Sequence, residues 1–308
     1  MSQSLHPSPL PLAPADPPRE LERALTRAEG WWARHELPSL VIYWGIHAAC
    51  GLALYTGVSA EAFALFLATY LLRMFGITGG YHRYFAHKSY KTGRGFQLFM
   101  AVLACTATQK GPLWWAGHHR GHHKNADKPG KDVHSPVDGF YYAHQGWIFD
   151  RRWDETPVAQ IQDFAKYPEL VFLNRWHPLP PALLAVACFL IGGLQGLVWG
   201  FVISTVVLWH TTYAINSLCH TWGTRRYDTP DTSRNNWLLG LLTLGEGWHN
   251  NHHFFCASTR QGFRWWEIDV TYYALRGLQA LGLVWDIREP PAAILAAGRT
   301  RKRLDEAA

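Results

Sequence analysis

Three short histidine clusters, separated by long apolar runs, constrain this chain more than any other feature of its sequence. The clusters occupy residues 82–87, 118–123 and 249–253, and they hold nine of the 17 histidines. A neutral imidazole is a good ligand for borderline metal ions, and one ion cannot use so many rings. The pattern predicts a fold that brings three distant segments together around two metal ions beside a membrane.

The composition indicates a membrane surface rather than a nucleic acid as the partner of the chain. The formal net charge of +6 is small and dispersed along 308 residues, which suits the anionic face of a cytoplasmic leaflet. Sixteen tryptophans fit the aromatic belts of membrane interfaces. The five cysteines form no CxxC pair, so we expect buried free thiols in a reducing environment.

The chain is expected to contain one main domain between two tails. Residues 1–30 are expected to form a disordered or interfacial N-terminal tail, 31–288 the membrane domain and 289–308 a C-terminal tail. Residues 19–36 could form a short helix on the membrane, with Trp31 and Trp32 at the interface. The N-terminus lacks a basic-then-apolar pattern, so no cleaved signal peptide is expected.

Four apolar runs have about the length that a bilayer crossing needs, near 20 residues. They occupy residues 37–57, residues 62–77 and two stretches within 179–219, with Gly192, Gly193 and Gly196 at the turn between the last two. A fifth run at 96–108 is shorter and is expected to be a buried or half-embedded helix. A buried helix of a soluble protein is the alternative for any single run. The predicted fold class is all-α, with four transmembrane helices and a cytoplasmic helical cap that holds the histidine-rich site.

The placement of Lys and Arg predicts the orientation in the membrane. Neither residue type occurs between Arg34 and Arg73, nor between Arg175 and Arg225. Cytoplasmic loops carry an excess of positive charge, so both termini and the central segment are expected in the cytoplasm. The three histidine clusters then lie on one face of the membrane.

The spacing of the histidines predicts metal ligands. The HxxHH motifs at 119–123 and 249–253 place three rings on one face of a helix. The first ring of each could serve one ion, while the later pair serves the other or bridges the site. His82 and His87 diverge by more than about 90° on an α-helix, so each could reach a different ion. Three separate surface clusters, or a single zinc site with spare histidines, are the alternatives. Zinc usually takes four ligands, however, and an oxygen-activating pair of non-haem irons fits better.

The boxes resemble those of integral-membrane fatty acid desaturases, and most closely the stearoyl-CoA (Δ9) branch. The matching motifs are HRYFAH at 82–87, HRGHHK at 119–124 and HNNHH at 249–253. Their surroundings are similar too, with GGYH at 79–82, WAGHH at 115–119, NSLCHTWG at 216–223 and GEGWH at 245–249. The resemblance covers roughly residues 35–285.

The resemblance implies a di-iron centre with nine histidine ligands and an asparagine that acts through a water molecule. The matching positions are His82, His87, His119, His122, His123, His220, His249, His252 and His253, with Asn216 for the asparagine. His220 and Asn216 rest on the resemblance alone. His118 is not among the implied ligands, and His134 and His144 are expected beside the ligands rather than on the metal.

The resemblance also implies the reaction and a substrate tunnel. Two neighbouring hydrogens would leave a saturated acyl chain, with O2 and two electrons consumed and a cis double bond formed, at Δ9 by analogy with the branch. The irons carry this chemistry, so no further catalytic side chain is expected. Gln109, Trp115 and Thr212 are expected to line the tunnel near its bend.

The acyl carrier and the electron donor stay open. Where stearoyl-CoA desaturases have charged contacts to CoA, this chain has Gly117-His118 and Val137-Asp138. The carrier could be CoA, acyl carrier protein or a membrane lipid. For CoA, five other cations could compensate: Lys88, Lys91, Arg94, Lys110 and Arg120. No fused cytochrome, flavin or iron–sulfur pattern is recognised, so a separate donor is expected: ferredoxin, cytochrome b5 or a flavoprotein reductase.

Two other functions compete with a desaturase. A hydroxylase or other oxygenase could use the same di-iron scaffold, and sequence hardly separates the two. A non-catalytic metal transporter or sensor is the alternative from another class. A transporter should place ionisable ligands inside its spans, whereas these boxes lie at or beyond the span ends.

Overall fold

The computed structural model describes residues 36–297. The predictions for the N-terminal tail, for the interfacial helix with Trp31 and Trp32, and for most of the C-terminal tail lie outside the described residues.

The described chain is mostly helical and has almost no strand, which confirms the all-α prediction. The main helices are α1 (Glu36–Ala49), α2 (Ala60–Phe75), α3 (Arg94–Cys105), α4 (Pro112–Asn125), α5 (Leu179–Leu197), α6 (Ser204–Thr221), α7 (His249–Phe254) and α8 (Val270–Ala280). Shorter α-helices span Ala53–Thr56, Phe140–His144, Gln162–Ala165, Pro168–Arg175 and Trp237–Leu242. Single 3-10 turns span Cys50–Leu52, Pro136–Asp138, Gly146–Phe149, Arg151–Trp153 and Val158–Gln160. Two short strands, Lys91–Thr92 and Val284–Trp285, pair antiparallel with Lys91 opposite Trp285.

Helix α2 continues into the first histidine box without a break. Ser59 caps its start, because the Ser59 Oγ accepts a hydrogen bond from the Ala62 amide at 3.2 Å. From Gly76 to Ala86 the backbone becomes a π-helix, in which hydrogen bonds join residues five apart. A second π-helical stretch, Val198–Ile203, joins α5 to α6.

Two helical stretches are long and apolar enough to cross a membrane: Ala60–Ala86, with 27 residues, and Leu179–Thr221, with 43. A straight helix of the second length would be about 65 Å long, roughly twice the hydrocarbon thickness. It is interrupted at the predicted turn, where Gly193 has a φ of +57°. A Cβ on Gly196 would collide with the carbonyl oxygen of Cys188, so the chain folds back on itself here. Two shorter apolar helices span Leu40–Thr56 and Arg94–Cys105.

The core surrounds the π-helix that carries the first box. Tyr81 and Phe85 are fully buried there, and Gly76 lies directly against the backbone of α3. The buried Arg83 guanidinium donates to Glu246 at 2.5 Å, to Asp269 at 3.0 Å and to the Thr259 carbonyl at 2.7 Å. These bonds join the first box to the segments on either side of the third. The five cysteines are free thiols, as predicted, but only Cys105, Cys188 and Cys219 are buried, whereas Cys50 and Cys256 are partly exposed.

Candidate metal centre

The histidine clusters converge on two neighbouring groups of rings. The five-ring group consists of His82, His87, His119, His123 and His252. The four-ring group consists of His122, His220, His249 and His253. The two groups lie side by side, with the ring centres of His123 and His253 only 4.6 Å apart. All nine predicted histidines therefore lie in one of two compact clusters, and His118 lies in neither.

Each HxxHH motif supplies both groups. In α4, His119 and His123 belong to the five-ring group, while His122 belongs to the four-ring group. In α7 the roles are exchanged, because His249 and His253 join the four-ring group and His252 joins the five-ring group. The spacing suggested that the first ring would be set against the later pair. In the structure, the two rings that are four residues apart, and therefore neighbours along the helix, belong to the same group. The ring between them in sequence belongs to the other group.

The π-helix explains why His82 and His87 share a group instead of separating. The His87 amide donates to the His82 carbonyl at 3.1 Å, a bond between residues five apart. This winding brings the two ring centres to within 4.7 Å of each other, whereas an α-helix would have turned them apart.

The nitrogen contacts in the five-ring group fit a shared cation. Four Nε2–Nε2 distances of 3.0 to 3.1 Å connect the rings in the order 87, 119, 123, 252 and 82. Each neutral ring has at most one proton on Nε2, so no arrangement of protons satisfies all four contacts as hydrogen bonds. Nitrogens bound at about 2.1 Å to one ion and at right angles would be roughly 3.0 Å apart. The observed Nε2–Nε2 distances therefore fit one metal ion bound by the lone pairs of all five rings.

The protonation of the rings favours metal binding. Burial, followed by repulsion from neighbouring rings, lowers the pKa of His87, His119 and His252 well below the ordinary value. The same causes lower the pKa of His123 and His249. These rings are therefore neutral at physiological pH, which is the form that binds a metal.

Four carboxylates orient the rings from behind. The Nδ1 atoms face Glu246 from His82 at 2.5 Å, Asp132 from His122 at 2.7 Å, Asp231 from His253 at 2.9 Å and Asp127 from His220 at 3.3 Å. A carboxylate that accepts the Nδ1 proton leaves the Nε2 lone pair pointing at the metal position. Burial alone would raise the pKa of Asp132, but His122 outweighs it and holds that pKa below its usual range.

Sequence reasoning assigned no role to these carboxylates. Asp127 and Asp132 follow the second box closely, and Glu246 precedes the third by three residues, so proximity was a usable signal. Asp231 lies 22 residues before its partner His253, and only the fold brings the two together.

The other singled-out residues lie around the groups. The His118 ring donates from Nε2 to the Glu155 carbonyl at 2.9 Å. His134 lies against His122, with ring centres 4.4 Å apart, and faces the same cavity as Asn216. His144 instead contacts Ser217 and His210, each at 2.9 Å, away from both groups.

A chain of histidines outside the two groups was not predicted. His144 contacts His210, and His210 contacts His47 through a pair of Nε2 atoms at 2.9 Å. His47 then donates from Nδ1 to the Tyr43 carbonyl at 2.8 Å. The chain joins α1, α6 and the Phe140–His144 helix. Single histidines in apolar runs gave no signal for it.

An apolar and aromatic cavity opens onto both groups. The empty space in it, which is partly open to solvent, is about 650 Å³. Gln109, Trp115 and Thr212 lie together on its wall. The Gln109 amide donates to the Thr212 hydroxyl at 2.8 Å, and the Trp115 indole donates to the Gln109 carbonyl oxygen at 3.2 Å. A second cavity of about 440 Å³ shares Gln109 and Trp115 with the first.

The five cations proposed as CoA contacts all pair with carboxylates of the chain. Lys88 and Arg120 contact Asp163, Lys91 contacts Asp286, Arg94 contacts Glu169 and Lys110 contacts Asp154, at 2.7 to 3.0 Å. An anionic head group would have to compete with these partners.

Fold and site together define a helical protein in which two histidine groups that could hold metal ions adjoin an apolar cavity. The fatty acid desaturase family matches residues 57–286. The chain is 40% identical over 235 residues to a palmitoyl-monogalactosyldiacylglycerol delta-7 desaturase, chloroplastic, of Arabidopsis thaliana; the match covers 75% of this chain and 62% of that protein. It is 37% identical to an acyl-CoA 5-desaturase of Anemone leveillei, with 84% and 81% covered. It is also 37% identical to the delta-9 acyl-lipid desaturase 1 of Arabidopsis thaliana, with 84% and 85% covered.

The chain belongs to the fatty acid desaturase family. This confirms the resemblance drawn from the histidine boxes and makes the protein an oxidoreductase of acyl chains.

Proposed function

We propose that this protein is a membrane desaturase that introduces one cis double bond, at Δ9, into a saturated fatty acyl chain with O2 and two electrons. The observation that carries the proposal is the convergence of nine histidines into two groups beside an apolar cavity. Nine imidazoles gathered into two compact groups offer enough nitrogen ligands for a pair of metal ions.

The residues present fit two iron ions. The five-ring group would hold one ion and the four-ring group the other. A water molecule would connect Asn216 to the ion of the four-ring group. Iron bound there would supply the activation of O2 that removal of hydrogen from an unactivated chain requires. The carboxylates behind the rings fix the ring orientation, and the buried surroundings exclude bulk water from the site.

The cavity would hold the acyl chain. Gln109, Trp115 and Thr212 are linked by hydrogen bonds, so this part of the wall is held in one shape. A rigid wall beside the rings would present one carbon pair to the site, and the distance to the closed end would select the position of the double bond. Both cavities share Gln109 and Trp115 of this wall, which supports a single bent path through them.

We propose four membrane crossings, with both termini and the histidine boxes in the cytoplasm. The fold-back at Gly192 and Gly193 supports two crossings within Leu179–Thr221. Large apolar side chains face outwards at the far ends of the helices, where Leu54 is 94% exposed and Leu190 is 77% exposed. Such an apolar outer surface is unusual in a soluble monomer and suits lipid.

The substrate would be an acyl-CoA or an acyl lipid. Relatives named for each carrier align over most of this chain. Electrons would come from a separate donor, either ferredoxin, cytochrome b5 or a flavoprotein reductase.

The test is expression in a host that lacks acyl desaturation, followed by lipidomics with double-bond localisation. The wild type should produce monounsaturated chains with the double bond at Δ9. The His252→Ala variant should produce none, because it removes one ring of the five-ring group. An oxygenated chain without an alkene would contradict the proposal and favour a hydroxylase.

A further inference from the structure

The two ring groups differ in the charge that surrounds them. Three of the four rings in the four-ring group direct Nδ1 at an aspartate: His122 at Asp132, His253 at Asp231 and His220 at Asp127. In the five-ring group, within residues 36–297, only His82 forms such a pair, with Glu246.

The single carboxylate behind the five-ring group is also partly neutralised. Glu246 accepts a hydrogen bond from the buried Arg83 guanidinium at 2.5 Å, and the same guanidinium pairs with Asp269 at 3.0 Å, so its positive charge offsets part of the charge of Glu246. His82 therefore faces an ion pair rather than a free anion.

The three aspartates of the four-ring group have no such neutralising partner. Asp132 accepts from the Asp127 amide at 2.8 Å, and Asp231 accepts from the Ser233 amide at 2.9 Å. Asp127 accepts from the hydroxyl and the amide of Thr232. Among the described residues, no lysine or arginine forms an ion pair with any of the three. Their negative charge is left to act on whatever the rings bind.

We infer that the two metal positions are inequivalent, and that Asp127, Asp132 and Asp231 are positioning residues that make the four-ring position the tighter and more easily oxidised one. The inference rests on the proposed pair of iron ions. A carboxylate behind a ring makes its Nε2 a stronger donor, and loss of such a partner typically lowers metal affinity about 10–100-fold. Negative charge also stabilises a ferric ion more than a ferrous one, because attraction grows with the charge of the ion.

The test uses the full chain purified in detergent and loaded with 57Fe in the ferrous state. Mössbauer spectra of the wild type should show two distinct doublets of equal area. Addition of half an equivalent of ferricyanide per iron removes one electron from one ferrous ion and yields ferrocyanide. The ferric signal should come from one doublet alone, and a chelator should remove that ion more slowly than its neighbour.

Variants assign the signals. Asp231 contacts a ring of the four-ring group only, so Asp231→Asn should shift the doublet of the ion that oxidises first and lower its affinity about 10–100-fold. Asp132→Asn should shift the same doublet, because Asp132 contacts His122 of the four-ring group. This second variant replaces Asp231→Asn in the test if that variant does not fold. Asp163→Asn is the matched control, because Asp163 pairs with Lys88 and Arg120 and contacts no ring of either group.

Two outcomes would overturn the inference. Wild-type protein with two irons, one doublet and one release rate would show that the positions are equivalent. If the ion whose doublet Asp231→Asn leaves unchanged is oxidised first, the five-ring position is the more easily oxidised one and the inference is wrong. Wild-type protein that binds fewer than two irons would instead overturn the proposed function beneath it.

Discussion

Replacement of Gly76 with alanine should loosen the junction between the first histidine box and helix α3. A Cβ at this position would lie 2.9 Å from the Cα and the backbone nitrogen of Ala104. Non-bonded carbons are most stable about 3.5–4.0 Å apart, so the two helices would have to separate by roughly 0.6–1 Å. The contacting atoms belong to backbone, so no side-chain rotation relieves the clash. Overpacking of this kind costs about 1–3 kcal/mol of folding stability.

Thermal unfolding of the iron-loaded protein in detergent measures the effect. Each kcal/mol lowers the unfolding midpoint of a chain this size by about 2–4 °C, so Gly76→Ala should lower it by roughly 2–12 °C. Iron should be released at a correspondingly lower temperature, because the displaced π-helix carries His82. Gly95→Ala on α3 is the control, since a Cβ there meets nothing within 4 Å. Equal midpoints for the two variants would refute the packing argument.

His122→Ala should lower the iron content by about one ion per chain and abolish activity. His118→Ala should retain both ions, because the His118 ring binds a backbone carbonyl instead of joining either group. Elemental analysis distinguishes the two variants, and two irons in His122→Ala would contradict the assignment. Thr212→Val leaves the Gln109 amide without its hydrogen-bond acceptor, at a cost of about 1–3 kcal/mol. The variant should therefore broaden the distribution of double-bond positions measured by mass spectrometry, whereas Thr212→Ser, which keeps the hydroxyl, should not. Burial lowers the pKa of His177 to about 4, whereas the pKa in an unfolded chain is near 6.5. The unfolded state therefore binds a proton more readily, so the stability that the neutral ring contributes is present above pH 6.5 and is lost as the pH falls towards 4. In His177→Gln this part of the acid sensitivity should disappear, and identical unfolding midpoints of variant and wild type from pH 7.5 to pH 4.5 would contradict the assignment.

The sequence was most informative where ligand spacing and helix geometry agree. HxxHH places three rings on one face of any α-helix, so the rings of α4 and α7 could be named as a set before the fold was known. The turn at Gly192 and Gly193 was predictable for a similar reason, because paired glycines between two apolar runs provide the backbone freedom that a reversal needs.

Other features depended on the tertiary fold. The division of rings between the two groups follows from how α4 and α7 face each other, which no local pattern encodes. The segment Gly76–Ala86 is wound as a π-helix that packs closely against α3, so the α-helical angle assumed from the sequence misplaced His87 relative to His82. The pairing of Asp231 with His253 joins a loop to a helix and has no sequence signal of its own.

The crossed assignment of rings in α4 and α7 makes the spacing of the boxes as important as their composition. One residue inserted between His119 and His122 would rotate the later rings by about 100° around the helix. His122 would then leave one group and His123 the other, although every histidine would still be present. We therefore expect a change in the length of a box to be more damaging than many single substitutions, because it would displace rings of both groups at once.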